Sequence, residues 1–361
     1  MTDGELMARA IALAWRGWGR VAPNPLVGAV LARDGQIIGE GWHEDFGGRH
    51  AEIAALARTD GARGSTCAVT LEPCAHTGKT PPCAGALIDA GVARVLIAVE
   101  DPHRAAHGGV ERLREAGIDV SVGVGAEAAT AMNAGYLWSH VRPSRPFVAL
   151  KLATSIDGLI ADAAGDSHWV SETEARDFVH WLRAGFDGIG VGRGTAETDD
   201  PALTVRGALE PRVSPTRVLF AGAGDLRRDL RLFEQTGDTP TIVVAAPHLA
   251  DRLRRELAYR AVRVLAADTL AEALRRLREA GLRTLLVEGG GRLAGALLED
   301  HLVDRLYWIQ APIWLGQGVG AFGERGSVAL AHADAWAVVE RRPLGRDTLL
   351  VVDRAPCLPA S

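Results

Sequence analysis

Four cysteines in 361 residues are too few for a disulfide framework. No apolar run approaches the ~20 residues that a membrane-spanning helix requires. The first residues lack the positive charge of a signal peptide and carry Asp3 and Glu5 instead. Basic residues are the minority, 40 Lys+Arg against 45 Asp+Glu, for a net charge of −5. That argues against a nucleic-acid binder, whose site needs a basic surplus. Long repeats and low-complexity segments are also missing. These absences predict a soluble cytoplasmic protein, with no nucleic-acid or membrane partner and with thiols kept reduced and available to a metal.

What is present is α/β alternation. At roughly 100–200 residues per domain the length predicts two domains, with three as the alternative. MARAIALAWRGW reads as an amphipathic first helix, over 5–18. LVGAVLA and QIIGEGW read as strands around a turn at Asp34-Gly35. HAEIAALARTDG (helix), CAVTL (strand), TPPCAGALIDAG (helix ended by Gly91), ARVLIAVEDP (strand) and GGVERLREAGIDVSVGV (helix, then strand) follow. This order predicts a mostly parallel sheet with helices on its faces. VRPSRP, at 141–146, reads as a linker between domains at 1–143 and 146–361. The second domain restarts with FVALKLATSIDGLIA as one strand, then repeats the alternation through VDRLYWIQAPIWLG to a last strand, DTLLVVDR. Its Arg-rich helices interleave Arg with Glu and Leu, as solvated faces do.

Chemistry concentrates in three places: His50-Ala51-Glu52, Glu72-Pro73-Cys74 and Cys83. His50, Cys74 and Cys83 make three zinc ligands and leave a fourth position for water, as a catalytic zinc requires. Glu52, two residues after His50 at a helix start, is placed to shuttle a proton from water to a leaving amine. This is the H-x-E…P-C-x-x-C pattern of zinc deaminases, with eight residues, AHTGKTPP, between the cysteines in place of two. Two alternatives are a pair of buried thiols and a structural zinc with His76 as fourth ligand. Cys67 reads as core and Cys357 as a tail residue.

PNPLVGAV, GEGWHEDFGGRHAE and TLEPCAHTGKTPPCAGALIDAGV resemble the N-terminal deaminase of the bifunctional riboflavin-biosynthesis family of the RibD/RibG type. The resemblance implies a cytidine-deaminase-like three-layer domain. It also implies zinc-dependent deamination of a phosphorylated pyrimidine, 2,5-diamino-6-ribosylamino-4(3H)-pyrimidinone 5′-phosphate. Asn24, His43, His76 and Lys79 would surround the pyrimidine and its phosphorylated ribose, and Asp101 is a further substrate contact. Lys79 and His76 suit a phosphate, and Asn24 offers a donor and an acceptor to a ring edge. A turn Asn before Pro25 and a solvated Lys79 are the plain alternatives. One loop departs from the family's DPNP: here it reads Asp101-Pro102-His103-Arg104, then AAHGG. Either His103 or Arg104 takes over a phosphate contact, or the chain is a paralogue with a diverted or inactive deaminase in another pteridine-like pathway.

In the second half, Gly190-Val191-Gly192-Arg193-Gly194 and Gly289-Gly290-Gly291 each follow a strand, yet neither fits the Rossmann fingerprint. TLLVE, three glycines and the helix RLAGALLE make a phosphate-binding geometry or merely a tight turn. FVALKLATSIDGLIA, SHWVSETEARDFVHWLRAGFDGIGVGRGTAETDDPALTVR and LLVEGGGRLAGALL are similar to the same family's C-terminal reductase, which has a dihydrofolate-reductase-like α/β fold. This implies hydride transfer from NADPH to the ribosyl C1′. Implied cofactor contacts are Ala153, Trp169, Thr195, Asp199 and Gly290, Gly291, Arg292, Leu293, Ala294, Gly295 and Ala296. Implied substrate contacts are Ser167, Arg183, Leu203, Arg206 and Glu288. Asp157 reads equally as a residue near the reacting carbon or as a turn residue before Gly158. The family also implies a homo-oligomer, dimer or tetramer.

Overall fold

The computed structural model describes residues 1–75, 82–103, 107–166, 172–234, 236–323 and 333–354. It divides into two units, Met1–Val141 and Arg142–Ser361. Among the described residues no helix is long and apolar enough to cross a membrane.

Thr2 and Glu5 form a reciprocal cap that starts α1 (Asp3–Ala14). A 3₁₀ turn, Trp15–Gly17, then leads to a hairpin of β1 (Gly28–Arg33) and β2 (Gln36–Trp42). Asp34 and Gly35 both have positive φ, 52° and 75°, which is the geometry of a type I′ turn and why that pair occupies it. Next come α2 (Ala51–Leu56), β3 (Thr66–Val69), α3 (Cys83–Asp89), β4 (Arg94–Ile97), α4 (Gly109–Glu115), β5 (Asp119–Val122), α5 (Ala126–Met132) and α6 (Ala134–Val141). The sheet order is β2-β1-β3-β4-β5. Alternate residues of each strand face opposite layers. Leu31, Cys67, Val69 and Ile97 pack on Ala55, Leu87 and Leu113 of α2, α3 and α4. Val30, Ala68 and Leu96 pack on α1 and on Ala129 of α5. The result is three layers.

Two expectations change here. β1 is antiparallel to both neighbours, so only β3–β4–β5 are parallel. A hairpin strand that also pairs with β3 imposes this. No element is predicted over 126–141, yet two short helices form there. They break at Asn133, whose side chain bonds both the N–H and the carbonyl of Leu26.

The second unit contains β6 (Phe147–Thr154), β7 (Leu159–Asp162), α7 (Thr173–Arg183), β8 (Gly188–Gly192), α8 (Arg193–Asp199), β9 (Thr216–Gly222), β10 (Thr241–Ala245), α9 (Pro247–Leu257) and β11 (Arg263–Ala266). It continues with α10 (Leu270–Glu279), β12 (Thr284–Glu288), α11 (Gly291–Glu299), β13 (Arg305–Gln310), β14 (Gly318–Gly320), β15 (Trp336–Leu344) and β16 (Asp347–Arg354). The main sheet runs β11-β10-β9-β8-β12-β6-β13-β16-β15, and β7 pairs with β14 separately. The seven strands from β11 to β13 are parallel, and β16 and β15 add an antiparallel edge. Here too the core alternates. Val218 and Phe220 of β9 face α10 and α11, whereas Leu219 and Ala221 face α8 and α9.

The single strand read from FVALKLATSIDGLIA is two strands. Gly158, at φ 79°, donates its N–H to the Ser155 carbonyl and turns the chain between them. Asp157 belongs to that turn: it accepts from Ser155 Oγ at 2.5 Å and from Gly316 N at 2.8 Å. The long strand read from VDRLYWIQAPIWLG stops at Gln310. β14 and β15 are unpredicted; β15 is an edge strand, half exposed, which tolerates Pro343 and weakens the alternation. The outer faces of α9 and α10 carry exposed Arg–acid pairs such as Arg254–Asp251 and Arg275–Glu279, as expected of solvated faces.

Candidate active sites

In the first unit His50 is the residue that begins α2, Cys83 is the first residue of α3, and Cys74 follows β3. Their ligand atoms lie within 4.8 Å of one another. His50 Nδ1 is 3.1 Å from Cys83 Sγ and 3.7 Å from Cys74 Sγ. The Cys83 N–H donates to Cys74 Sγ at 3.3 Å. Hydrogen bonding from the Cys83 thiol, with help from His50, pulls Cys74 down to about 4. Its partner Cys83 is pushed up by the same bond and by burial. One imidazole nitrogen and two sulfurs form a donor set that fits zinc. His76, the alternative fourth ligand, lies outside the described residues, as do Lys79 and Arg104.

Glu52 is buried on the first turn of α2, and burial pushes its carboxyl up to about 7, with His50 opposing. A carboxyl near neutrality can both take and return a proton. The helix carrying it lies hard against β2: a Cβ on Gly41 would sit 2.3 Å from both Ala51 O and Ala55 N. Cys67 is buried in β3 with its thiol pushed up by burial, as core residues are; Cys357 lies outside the described residues.

The structure brings Asn24 and His43 together. His43 is buried, its Nδ1 lies 3.0 Å from the Arg49 carbonyl, and Asn24 Nδ2 approaches its Nε2 at 3.1 Å. Nδ1 must therefore donate and Nε2 accept, which fixes a neutral tautomer, and burial lowers the His43 pKa in agreement. Asn24 keeps its oxygen and one N–H for another partner. Asp101 is buried, with its carboxylate accepting from Tyr136 Oη at 3.0 Å and from the His103 N–H at 2.9 Å.

The second unit has a cleft of about 1900 Å³ where β6, β8, β9, β10 and β12 end. Crevices outside the carboxyl ends of parallel strands are where such sheets bind ligands. Ala153, Thr195, Asp199, Gly290, Gly291, Arg292, Leu293 and Ala296 all line it. Ala294 and Gly295 do not: they are buried on the core side of α11. Gly290 and Gly291 admit no side chain, since a Cβ would fall 2.5 Å from Thr195 Oγ1 and 2.4 Å from the Gly320 carbonyl.

Among the implied substrate contacts, Arg183 and Glu288 pair with each other. Nε and Nη2 meet the two carboxylate oxygens at 2.5 and 2.9 Å, and Nη1 donates to the Thr204 carbonyl. Burial works against ionising Glu288, but Arg183 outweighs it and holds the carboxyl below its usual range. Leu203 is packed in the core at φ 49°. The Arg206 N–H donates to His180 Nδ1 at 3.1 Å. Ser167 and Trp169 lie outside the described residues.

Sequence reasoning missed Lys151, which lines the cleft from β6 in register with Glu288 of β12 and whose pKa burial lowers. A signal was available: Lys79 and Lys151 are the chain's only two lysines. It also missed 220–224, 244–245 and 267–270, strand ends of a stretch with no chemical signature, which line the same cleft.

Residues 1–99 match the family model for the cytidine and deoxycytidylate deaminase zinc-binding region, and residues 146–350 match the RibD C-terminal domain. Riboflavin biosynthesis protein RibD of Escherichia coli is 39% identical over 370 residues, covering 97% of this chain and 99% of that protein. Its namesake in Mycobacterium tuberculosis is 40% identical over 355 residues, 96% of each. The solved structure of Acinetobacter baumannii RibD superposes with a TM-score of 0.82 at 35% identity, over 98% of this chain and 99% of that one. The Thermotoga maritima diaminohydroxyphosphoribosylaminopyrimidine deaminase/5-amino-6-(5-phosphoribosylamino)uracil reductase gives a TM-score of 0.81 at 34% identity, over the same shares.

Proposed function

The chain belongs to the RibD family of bifunctional deaminase–reductases in riboflavin biosynthesis, and we propose that its two sites act in succession on one phosphorylated pyrimidine. In the first unit His50, Cys74 and Cys83 would hold zinc, which when bound supplies the Lewis acidity that makes water a nucleophile near neutral pH. The substrate would be 2,5-diamino-6-ribosylamino-4(3H)-pyrimidinone 5′-phosphate. Glu52 takes the proton of the water that adds to C2 and passes it to the departing amine, so that a carbonyl and ammonia result. Asn24, braced by His43, presents its free donor and acceptor to the ring edge. Asp101 forms a further wall, and His76 and Lys79 take the phosphorylated ribose.

In the second unit NADPH would lie along the carboxyl edge of the sheet, supplying a hydride to the ribosyl C1′. The N–H groups that begin α11, after Gly290, suit its pyrophosphate. Ala153, Thr195, Asp199, Arg292, Leu293 and Ala296 line its course, with Trp169 as a further contact. Because Arg183 is engaged by Glu288 and Thr204, Arg206 is the better arginine for the substrate phosphate, while Arg183 keeps Glu288 ionised. Ser167 and the Leu203 backbone complete that side. A cytoplasmic location suits thiol ligands that must stay reduced, and a homo-oligomer is expected from the family.

The observation that carries this reading is the convergence of His50, Cys74 and Cys83 beside a buried Glu52. The test supplies the diaminopyrimidine ribosyl phosphate with and without NADPH, and follows ammonia and NADPH separately. Ammonia without NADPH, then NADPH oxidation that depends on the deaminated product, is the expected result. NADPH oxidation on pre-formed uracil substrate with no ammonia from the first would refute the deaminase half.

A further inference from the structure

Glu72 has no part in the chemistry above, yet its carboxylate is fully enclosed and accepts four hydrogen bonds. Oε1 accepts from the N–H groups of Gly108 and Val110 at 3.0 and 3.1 Å. Oε2 accepts from the Asp101 N–H at 3.1 Å and from His107 Nδ1 at 3.0 Å. All four donors belong to residues 101–110, and none to the loop that runs from Glu72 to the ligand Cys74. The two segments are also in tight register: a Cβ on Gly109 would fall 1.8 Å from the Pro73 carbonyl.

What Glu72 holds is a wall of the proposed pocket. Its bond to the Asp101 N–H fixes the backbone at that residue. The Asp101 carboxylate then accepts from Tyr136 and from the His103 N–H. The His103 ring in turn packs edge-on against His140, with centroids 4.9 Å apart. This is the stretch that reads Asp101-Pro102-His103-Arg104, and Glu72 anchors its backbone at Asp101.

We propose that Glu72 is a positioning residue for the deamination, tying Asp101 and His103 to the metal loop so that they meet the substrate. The proposal rests on the reading that the first unit deaminates and that Asp101 faces the pyrimidine. A buried carboxylate with four donors is satisfied in one arrangement only. Glutamine keeps the shape but turns one acceptor into a donor, which then faces N–H groups that need an acceptor. Cys74 has its own supports in the Cys83 N–H and His50. The loss should therefore reach substrate binding and spare the metal.

The test uses the full-length chain as E72Q and H107A beside the wild type. Three quantities are measured: zinc content, which reports that the first unit has kept its fold around His50, Cys74 and Cys83, deaminase kcat and KM from ammonia release, and reductase rate on the pre-formed uracil substrate, which normalises for the amount of active chain. E72Q should raise the deaminase KM about tenfold or more, with kcat, zinc and reductase rate close to wild type. H107A, which removes a single donor, should raise KM by about threefold. Loss of zinc, or a fall in kcat at unchanged KM, would overturn the proposal by making Glu72 a support of the metal loop. Unchanged kinetics would overturn it outright. If E72Q does not accumulate, H107A decides alone, an unchanged KM counting against. A wild-type chain that releases no ammonia overturns the deaminase reading, and this proposal with it.

Discussion

Replacing Arg183 by leucine should destabilise the second unit severely at neutral pH and much less in acid. The pair it belongs to is buried: the Arg183 and Glu288 side chains are 12% and 11% exposed, and meet at 2.5 and 2.9 Å. Removing one partner of such a pair costs about 3–5 kcal/mol, because the other charge is left without compensation. For a unit of this size each kcal/mol shifts the midpoint by roughly 2–4 °C, so the transition should fall by about 6–20 °C. The pH dependence follows from signs. In the native chain Glu288 sits below its ordinary 4.5. Its stabilisation is therefore complete above the unfolded pKa and is lost as pH falls through the lower folded value. Without Arg183, burial dominates and the folded pKa rises above the unfolded one, with Lys151 opposing in part. The charged carboxylate then destabilises, and the deficit closes as pH falls toward the ordinary carboxylate range. The assay is thermal unfolding of wild type, R183L and R183L/E288L at pH 8 and pH 5.5. The double variant, with two apolar groups in place of the pair, should recover most of the loss. A deficit identical at both pH values, or a double variant no better than the single, would refute the argument.

C83A should lose zinc and deamination together and keep reduction, since the two chemistries belong to separate units; zinc analysis with both assays checks this. E52Q should retain zinc while deamination falls by about 10²–10⁴-fold, the range for removal of a general acid–base group; a smaller drop at full zinc occupancy would exclude Glu52 from proton transfer. G291A places a Cβ 2.4 Å from the Gly320 carbonyl, so the start of α11 must move. Reduction should weaken at least about tenfold through NADPH affinity, with deamination untouched, and a wild-type NADPH KM would count against the α11 site.

The first site was legible because its chemistry lives in rare side chains at fixed places: a histidine that starts one helix, a cysteine that starts another, and a glutamate two residues after that histidine. The hairpin was equally plain, since Asp-Gly is the pair that an I′ turn demands. Glu72 could not be read, because three of its four donors are main-chain N–H groups that no residue type announces. The second site was legible only through family likeness. Its walls are strand ends and small residues, and a segment carried over whole ignores the 3.6-residue period of the helix within it. On α11 that period sends Arg292, Leu293 and Ala296 to the cleft and Ala294 and Leu297 to the core.

The two lysines carry that argument further. This chain meets nearly every need for positive charge with arginine: the solvated faces of α9 and α10, and the buried pairs of Arg145 with Asp304 and Arg305 with Asp353. Arginine suits those roles, since its guanidinium stays charged and its fork fits a carboxylate in two places at once. Lys79 stands in the insert between Cys74 and Cys83, and Lys151 lines the cleft in register with Glu288 of the neighbouring strand. An ammonium differs from a guanidinium in being compact and in losing its proton more readily when buried, and burial does lower the Lys151 pKa. Of the two, Lys151 is the one whose scarcity alone could have directed attention to the cleft it lines.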